Sequence, residues 1–393
     1  MTFIQSFRLK TFLLVCLTLN GLTGAVATGG DRLPACRETI ERHIRELASE
    51  KYQGRRGPFA AMAAKYIQRE FQELELNPLF AGNSYLQTIP GLSEGDEPPR
   101  TLGTNVGAIL PGSDPALAEE YVLIAAHHDH LGRGGGGIFH GADDNASGVA
   151  MVLEVARLLK SADPSPRRSV IFVSFDLEEH LLFGSRWFTA HPPIPLERLR
   201  LVLVADMLGR SLGDLPLNSV FLFGAEHGTG LRELLAGIDS EPNTRPLLLN
   251  SEFVGTRSDY GPFRDRQIPF LFASTGQSRD YHSIRDTADH INYQQVREIT
   301  TFLREVVRHA ANADSSPEWI PDPELTLDEV TTVLKIVEKI DQQADNWKLT
   351  TVQRLFVTQT RQRAKRILQQ QTISPEDRRW LTRSTQMMLL TVF

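Results

Sequence analysis

Apolar residues along this chain recur in two rhythms. Ile40, Ile44 and Leu47 fall at i, i+4 and i+7 and predict a helix over 36–49, and a second helix is expected over 59–74, ending before Asn77-Pro78. Four short apolar runs rich in β-branched residues follow, at 121–126, 169–175, 201–205 and 269–273. Runs of this kind suit strands buried on both faces. Helical stretches lie between and after them, notably 147–159, 230–237 and 294–311. Strands alternating with helices imply the α/β class, a three-layer α/β/α body with a mainly parallel central sheet.

The rhythm changes after residue 312. Asp314-Ser315-Ser316-Pro317 and Ile320-Pro321-Asp322-Pro323 read as a linker. Beyond it Val330, Val333, Val337 and Ile340 mark an amphipathic helix, and a second is expected over 350–370. A third starts at Ser374-Pro375-Glu376-Asp377, a capping residue, a proline for the first turn and two acids. These helices form a C-terminal extension, 319–393, to a catalytic body at 28–318.

The first 27 residues read as a signal peptide. Arg8 and Lys10 precede an apolar run over 11–26, interrupted by Asn20, Gly21 and Gly24, and Ala25-Val26-Ala27 offers small residues for cleavage. The run is short for a membrane span, which needs roughly 20 apolar residues. The expected location is therefore secreted or periplasmic, with no stable span after cleavage. An uncleaved anchor is the weaker alternative, and so is a lipoprotein: Leu33-Pro34-Ala35-Cys36 is separated from the apolar run by Asp31 and Arg32.

Composition narrows the function. With 41% hydrophobic and 23% charged residues the chain is ordinary globular protein. Its 42 basic and 48 acidic residues give −6, which disfavours a general nucleic-acid binder. Loss of Arg8 and Lys10 leaves −8, split as −10 on the body and +2 on the extension. Arg361, Arg363, Lys365 and Arg366 are expected on a solvated helix face or on one docked against the acidic body. Removing the extension after Ser316 is then expected to leave metal binding intact. After cleavage only Cys36 remains, so there is no disulfide framework, and a half-buried inert thiol is the expectation.

Polar residues cluster directly after the predicted strands. His127-His128-Asp129-His130 follows the first, Asp176-Leu177-Glu178-Glu179 the second and Asp206 the third. Gly141-Ala142-Asp143-Asp144-Asn145-Ala146-Ser147-Gly148 opens the next helix, and His282 lies in a later loop. Ligands of open α/β sheets bind at the carboxyl ends of the strands. Carboxylates converging there repel one another unless cations neutralise them, and imidazole with carboxylate suits zinc, with manganese or cobalt as substitutes. Singly each group has an ordinary structural explanation; their coincidence at strand ends is the signal.

In these segments the sequence resembles the M28 family of zinc aminopeptidases, co-catalytic dizinc exopeptidases of the secreted or periplasmic bacterial type. The matching stretches are 126–132, 141–148, 178–185, 206–209 and 281–287. The resemblance implies two zinc ions: His127 and Asp206 on one, Glu179 and His282 on the other, and Asp144 bridging. It implies Glu178 as general base and Asp129 as hydrogen-bond partner of the His127 imidazole. Expected substrates are peptides with a free N-terminus. The chain departs from the family at Ser258-Asp259-Tyr260, within Glu178-Glu179-His180-Leu181-Leu182 and at His140, and none of these departures removes an implied ligand. The residues leave oligomeric state open.

Two other motifs do not hold. Gly91-Leu92-Ser93-Glu94-Gly95 has the nucleophile-elbow spacing, but Pro98-Pro99 prevents the helix such a turn must open. The glycine-rich stretch from Gly132 to Gly137 lies too far before the next helix to cradle a phosphate and reads as a mobile loop. Rival functions are a single-zinc aminoacyl cyclase, a carboxypeptidase using Arg257 or Arg279 for the substrate carboxylate, and a metal-free binding protein on the same fold.

Overall fold

Successive residues of the central strands enter different cores. Val122, Ile124 and Ala126 join one apolar cluster, while Leu123 and Ala125 join another, as the period of two along a strand requires. The protein, analysed as a computed structural model, is described here for residues 34–92, 100–241 and 244–391, all within one compact unit, Leu33–Phe393. The expected signal peptide, 1–27, lies outside the described residues.

The sheet has nine strands. Its centre is β7 (Ser169–Phe175), β4 (Tyr121–His127), β8 (Leu199–Ala205) and β11 (Phe270–Ser274), parallel neighbours in that order. These are the four runs expected from sequence. On one flank β3 (Thr101–Leu110) pairs antiparallel with β7 and carries β1 (Asn77–Pro78) and β2 (Leu86–Pro90). On the other, β9 (Ser219–Phe223) runs antiparallel to β11 and pairs in parallel with β10 (Arg245–Leu249). The sheet is therefore mixed, with its parallel part confined mostly to the middle. The glycine-rich stretch is a small hairpin, β5 (Gly132–Gly134) with β6 (Gly137–Phe139), rather than an open loop.

One face of the sheet is covered by α1 (Arg37–Leu47), α2 (Pro58–Glu73), α3 (Gly148–Lys160), α5 (Leu231–Ala236) and α7 (Tyr293–Asn312). The other face carries α4 (Phe183–Ala190), α6 (Gly261–Arg264) and all three helices of the extension, α8 (Leu327–Gln343), α9 (Thr351–Gln370) and α10 (Pro375–Thr391). Thr326 and Thr350 cap α8 and α9 in capping boxes with Glu329 and Gln353. Val330, Val333, Val337 and Ile340 are buried in the same cluster as Phe221, Phe223, Phe270 and Phe272 of the sheet. The extension thus completes the outer layer of the fold. Its basic residues pair with its own acids: Arg361 with Asp341, Lys365 with Glu338, and both Arg363 and Arg366 with Asp377. Charge ties it to the body mainly through Arg378–Glu252 and Glu329–Arg232.

Candidate metal centre

The carboxyl ends of the parallel strands converge on one buried cluster. β4 ends on His127; Glu178 and Glu179 follow β7; Asp206 follows β8; His282 lies in the loop after β11. Asp144 comes from the turn that opens α3. Gly141 at the start of that turn has φ +59°, and a Cβ there would lie 2.2 Å from the Asp144 carbonyl oxygen, so only glycine lets the turn close.

Asp144 sits at the middle. Its Oδ1 is 3.4 Å from His127 Nε2, which is itself 3.4 Å from Asp206 Oδ1. Its Oδ2 is 3.2 Å from His282 Nε2, which is 3.3 Å from Glu179 Oε2. An ion bound tetrahedrally at about 2.0–2.1 Å holds its ligands about 3.3–3.4 Å apart, longer than a good hydrogen bond. The separations on either side of Asp144 therefore have the length of coordination edges, and the donor set suits a metal ion. His127 Nε2 and Asp206 Oδ1 are buried without a hydrogen-bond partner, which leaves both free for a ligand. His127 Nδ1 faces the Asp129 carbonyl oxygen at 3.2 Å, and donating there leaves Nε2 as the lone-pair nitrogen.

Charge explains why a cation belongs here. Burial pushes the Glu178 carboxyl well above its ordinary range, with Asp206 and Asp259 adding to the push and His127 opposing it. Burial also raises Asp206, against His127. Burial alone lowers a histidine, yet the carboxylates of Glu178 and Asp206 hold His127 well above its usual value. Burial and Asp144 push Glu179 up, but hydrogen bonds from His130 and His282 outweigh them and hold it at about 2. Without metal, protons and imidazoles carry the neutralisation that divalent cations would supply.

A second layer of residues holds the first. Asp143, beside the central carboxylate, faces away and accepts the Gly209 N–H at 2.6 Å, bracing the turn after Asp206. Asp286 accepts the N–H groups of Asp143 and Asp144 at 2.8 and 3.0 Å. Arg55, fully buried, donates to the carbonyls of Leu47, His128, His140, Gly141 and Asp144 and ties both ligand loops to the α1 side. His130 donates from Nδ1 to Glu179 Oε1 at 2.9 Å; it also falls within 4.8 Å of Asp144 and Glu179 as a donor group. Its separations, 2.9 and 3.7 Å, suit an orienting hydrogen bond better than a coordination edge, for which His282 is better placed. Asp129 differs from expectation in detail: its carboxylate stands 3.6 Å from His127 Nδ1 and instead accepts the backbone N–H groups of Glu178 and Glu179.

Sequence reasoning assigned no role to Arg55, His130 or Asp286. His130 and Asp286 lie within the motif stretches and Arg55 well before them, and the partners of all three are distant along the chain. Arg257 lines the cavity next to the cluster, whereas Arg279 is exposed and does not.

A mixed sheet bearing a buried carboxylate–imidazole cluster at the ends of its parallel strands is the scaffold of a metal-dependent hydrolase. Residues 105–307 match the model of peptidase family M28, and the chain belongs to that family. It is 26% identical over 306 residues to a glutaminyl-peptide cyclotransferase of Bos taurus, covering 68% of this chain and 80% of the relative. It is 27% identical over 214 residues to aminopeptidase YwaD of Bacillus subtilis, covering 51% of this chain and 43% of that protein, so it spans less than half of YwaD. Among solved structures, a zinc aminopeptidase of Bacillus subtilis superposes with a TM-score of 0.54 at 17% identity, covering 74% of this chain and all of the other. Among the described residues no helix is long and apolar enough to cross a membrane.

Proposed function

We propose that the protein is an aminopeptidase that removes N-terminal residues from peptides, with two zinc ions held by His127, Asp144, Glu179, Asp206 and His282. Manganese or cobalt would suit the same oxygen and nitrogen donors. The observation that carries this reading is the set of four donor separations, 3.2–3.4 Å, arranged on either side of Asp144. When bound, such a pair of ions lowers the pKa of water and polarises the scissile carbonyl.

The chain's own residues do the rest. Glu178 lies in the cavity beside the cluster without coordinating geometry to His282 or His127, and it is the group to take a proton from the attacking water and return it to the leaving amine. Its high proton affinity when metal is absent reflects the neighbouring acids, and cations among those acids would bring it towards the working range. Asp129 fixes the backbone of Glu178 and Glu179, so base and ligand keep their separate directions. The surplus of carboxylates also favours a substrate ammonium group close to the scissile bond.

Relatives named as cyclotransferases favour a second reading, a single-zinc aminoacyl cyclase. Donors on both sides of Asp144, His127 with Asp206 on one and His282 with Glu179 on the other, favour the two-metal peptidase. The discriminating assay offers leucyl-p-nitroanilide, its N-acetylated form and a glutaminyl peptide to the zinc-loaded protein. The expected result is release of p-nitroaniline from the free substrate alone; equal rates on the blocked substrate would reject aminopeptidase action, and conversion only of the glutaminyl peptide to a cyclised product would establish the cyclase. The sequence of residues 1–27 supports export to the periplasm or medium, and mass spectrometry of the exported chain should find an N-terminus at Thr28.

A further inference from the structure

The side chains grouped around Asp144 are unequally covered. His282 has 36% of its side chain exposed, whereas His127, Asp144, Asp206 and Glu179 have 1%, 5%, 6% and 8%. The cluster is therefore most open on the His282 side. There stands the β5–β6 hairpin, which springs from between two segments of the cluster, 127–130 and 141–148. Its base is tied down by the Gly132 N–H, which donates to the Gly54 carbonyl oxygen at 2.9 Å, and by Arg133, which donates to Gln53. Its tip leans on Ile284, two residues after His282: a Cβ built at Gly136 or Gly137 would lie 3.9 or 3.8 Å from the Ile284 side chain. Among the described residues, no backbone hydrogen bond from outside the hairpin reaches 133–139.

The fold explains only half of the glycines at 134–137. Gly137 has φ +135°, and a Cβ at Gly134 would meet the Phe139 ring at 2.8 Å. Gly135 and Gly136 have no such reason. Neither has a positive φ, a Cβ at Gly135 would meet nothing within 4 Å, and the 3.9 Å at Gly136 is ordinary contact. Both are exposed. Glycine at such a place lowers stability relative to alanine, and in a strand pair it marks close approach by another backbone or a ligand. We infer that the tip of this hairpin is a docking edge for the main chain of the substrate peptide beyond the scissile bond. This rests on the aminopeptidase reading. Each strand of an antiparallel pair turns alternate N–H and C=O groups outward, and this two-stranded sheet has no third strand on either edge. An extended peptide adds to such an edge through main-chain hydrogen bonds. With no side chains at 134–137, the peptide's own side chains find room on both faces, so the grip reads length rather than sequence. Contact with Ile284 places the tip about 10–15 Å from the His282 imidazole, and an extended chain advances about 3.3 Å per residue. A dipeptide falls short of it, while the third to fifth residues of a longer peptide reach it. The substrate class is extended oligopeptides of about five residues or more.

The test measures kcat/KM of the zinc-loaded protein on leucyl-polyalanine peptides of two to six residues, on the pentapeptide N-methylated at its third to fifth residues, and on leucyl-p-nitroanilide. Two main-chain hydrogen bonds correspond to roughly tenfold, so kcat/KM should rise by about that much or more between two and five residues. N-methylation should remove the gain. The double variant Gly135→Val, Gly136→Val should keep its zinc content and Tm yet lose most of the gain. Hydrogen exchange reads the contact without turnover: a leucyl pentapeptide analogue with the scissile amide reduced to CH₂–NH should protect the amides of 133–138, and the matching dipeptide analogue should not. Equal kcat/KM at all lengths, a gain that survives N-methylation or the zinc-replete double variant, or equal protection by the two analogues would overturn the docking edge, while cleavage of leucyl-p-nitroanilide would still uphold the peptidase. If no leucyl substrate is cleaved, the peptidase reading fails; protection by the pentapeptide analogue alone then still supports a peptide-docking edge, and its absence overturns that too.

Discussion

Asp129 Oδ1 accepts the backbone N–H of Glu178 at 3.0 Å, and its Oδ2 accepts that of Glu179 at 3.3 Å. One buried carboxylate therefore sets the direction of two adjacent acids with different tasks. Removing it should cost more than a mutation of the His127 environment alone. Asp129→Ala is expected to lower zinc affinity or kcat by about 10–100-fold, the range seen for residues that support metal ligands. Asp129→Asn keeps one oxygen acceptor and should lose less. Zinc titration and kcat on both variants check this; equal losses would mean that the negative charge, not the pair of accepted hydrogen bonds, is what matters.

Glu178 and Glu179 should separate cleanly. Glu178→Gln is expected to keep metal content and fold while losing turnover by about 10²–10⁴-fold. Glu179→Gln is expected to weaken one metal position, because a neutral amide is a poorer ligand for a dication. Metal content and kcat measured on both decide it. Zinc loss in Glu178→Gln with full occupancy in Glu179→Gln would reverse the roles.

Much of this was legible in the sequence, for identifiable reasons. The four central strands are buried on both faces and so read as unbroken apolar runs. β3 was not legible because it contains Gly103 and Gly107, poor strand residues on propensity. Packing favours them: a Cβ at Gly103 would lie 2.7 Å from the Leu177 side chain and one at Gly107 2.7 Å from that of Leu79, so either neighbour would have to shift. The antiparallel flanks have no local signature, since pairing direction depends on strands far apart in the chain. Candidate ligands stood out because they lie within compact motifs. Arg55 did not, since its carbonyl partners span Leu47 to Asp144 and backbone acceptors leave no trace in residue types.

Acid sensitivity has a component outside the cluster. Burial, with Arg42 adding to it, pushes the His43 imidazole down to about 3 from 6.5. The unfolded chain therefore binds a proton as pH falls through 6.5 while the folded chain does not until about 3, so stability drops across that window and the drop is complete below it. His43→Gln carries no such proton. Between pH 7 and pH 4.5 the variant should lose less stability than the wild type, by about 2 kcal/mol or roughly 2–5 °C in Tm. Parallel Tm–pH curves for the two proteins would show that His43 does not contribute.

The extension behaves in the structure as a layer, not an appendage, and this reverses the expectation that its removal is harmless. Ending the chain after Ser316 would uncover Phe223, Phe270, Phe272, Leu249 and Phe253 on one face of the sheet. Each large buried side chain is worth about 1.5–3 kcal/mol, so the loss is on the order of 10 kcal/mol, as large as the whole stability of many domains. The shortened chain should aggregate or unfold non-cooperatively. A soluble product with an undiminished Tm would show that the body stands alone.

The central claim is that Asp144 joins two metal positions in one peptidase centre. Its most direct test is titration of metal-free protein with zinc, reading bound metal per chain and leucyl-p-nitroanilide turnover on the same samples. The account predicts that saturation falls at two ions per chain and that full turnover is reached only there. Full turnover with a single bound zinc, and no further uptake, would contradict it.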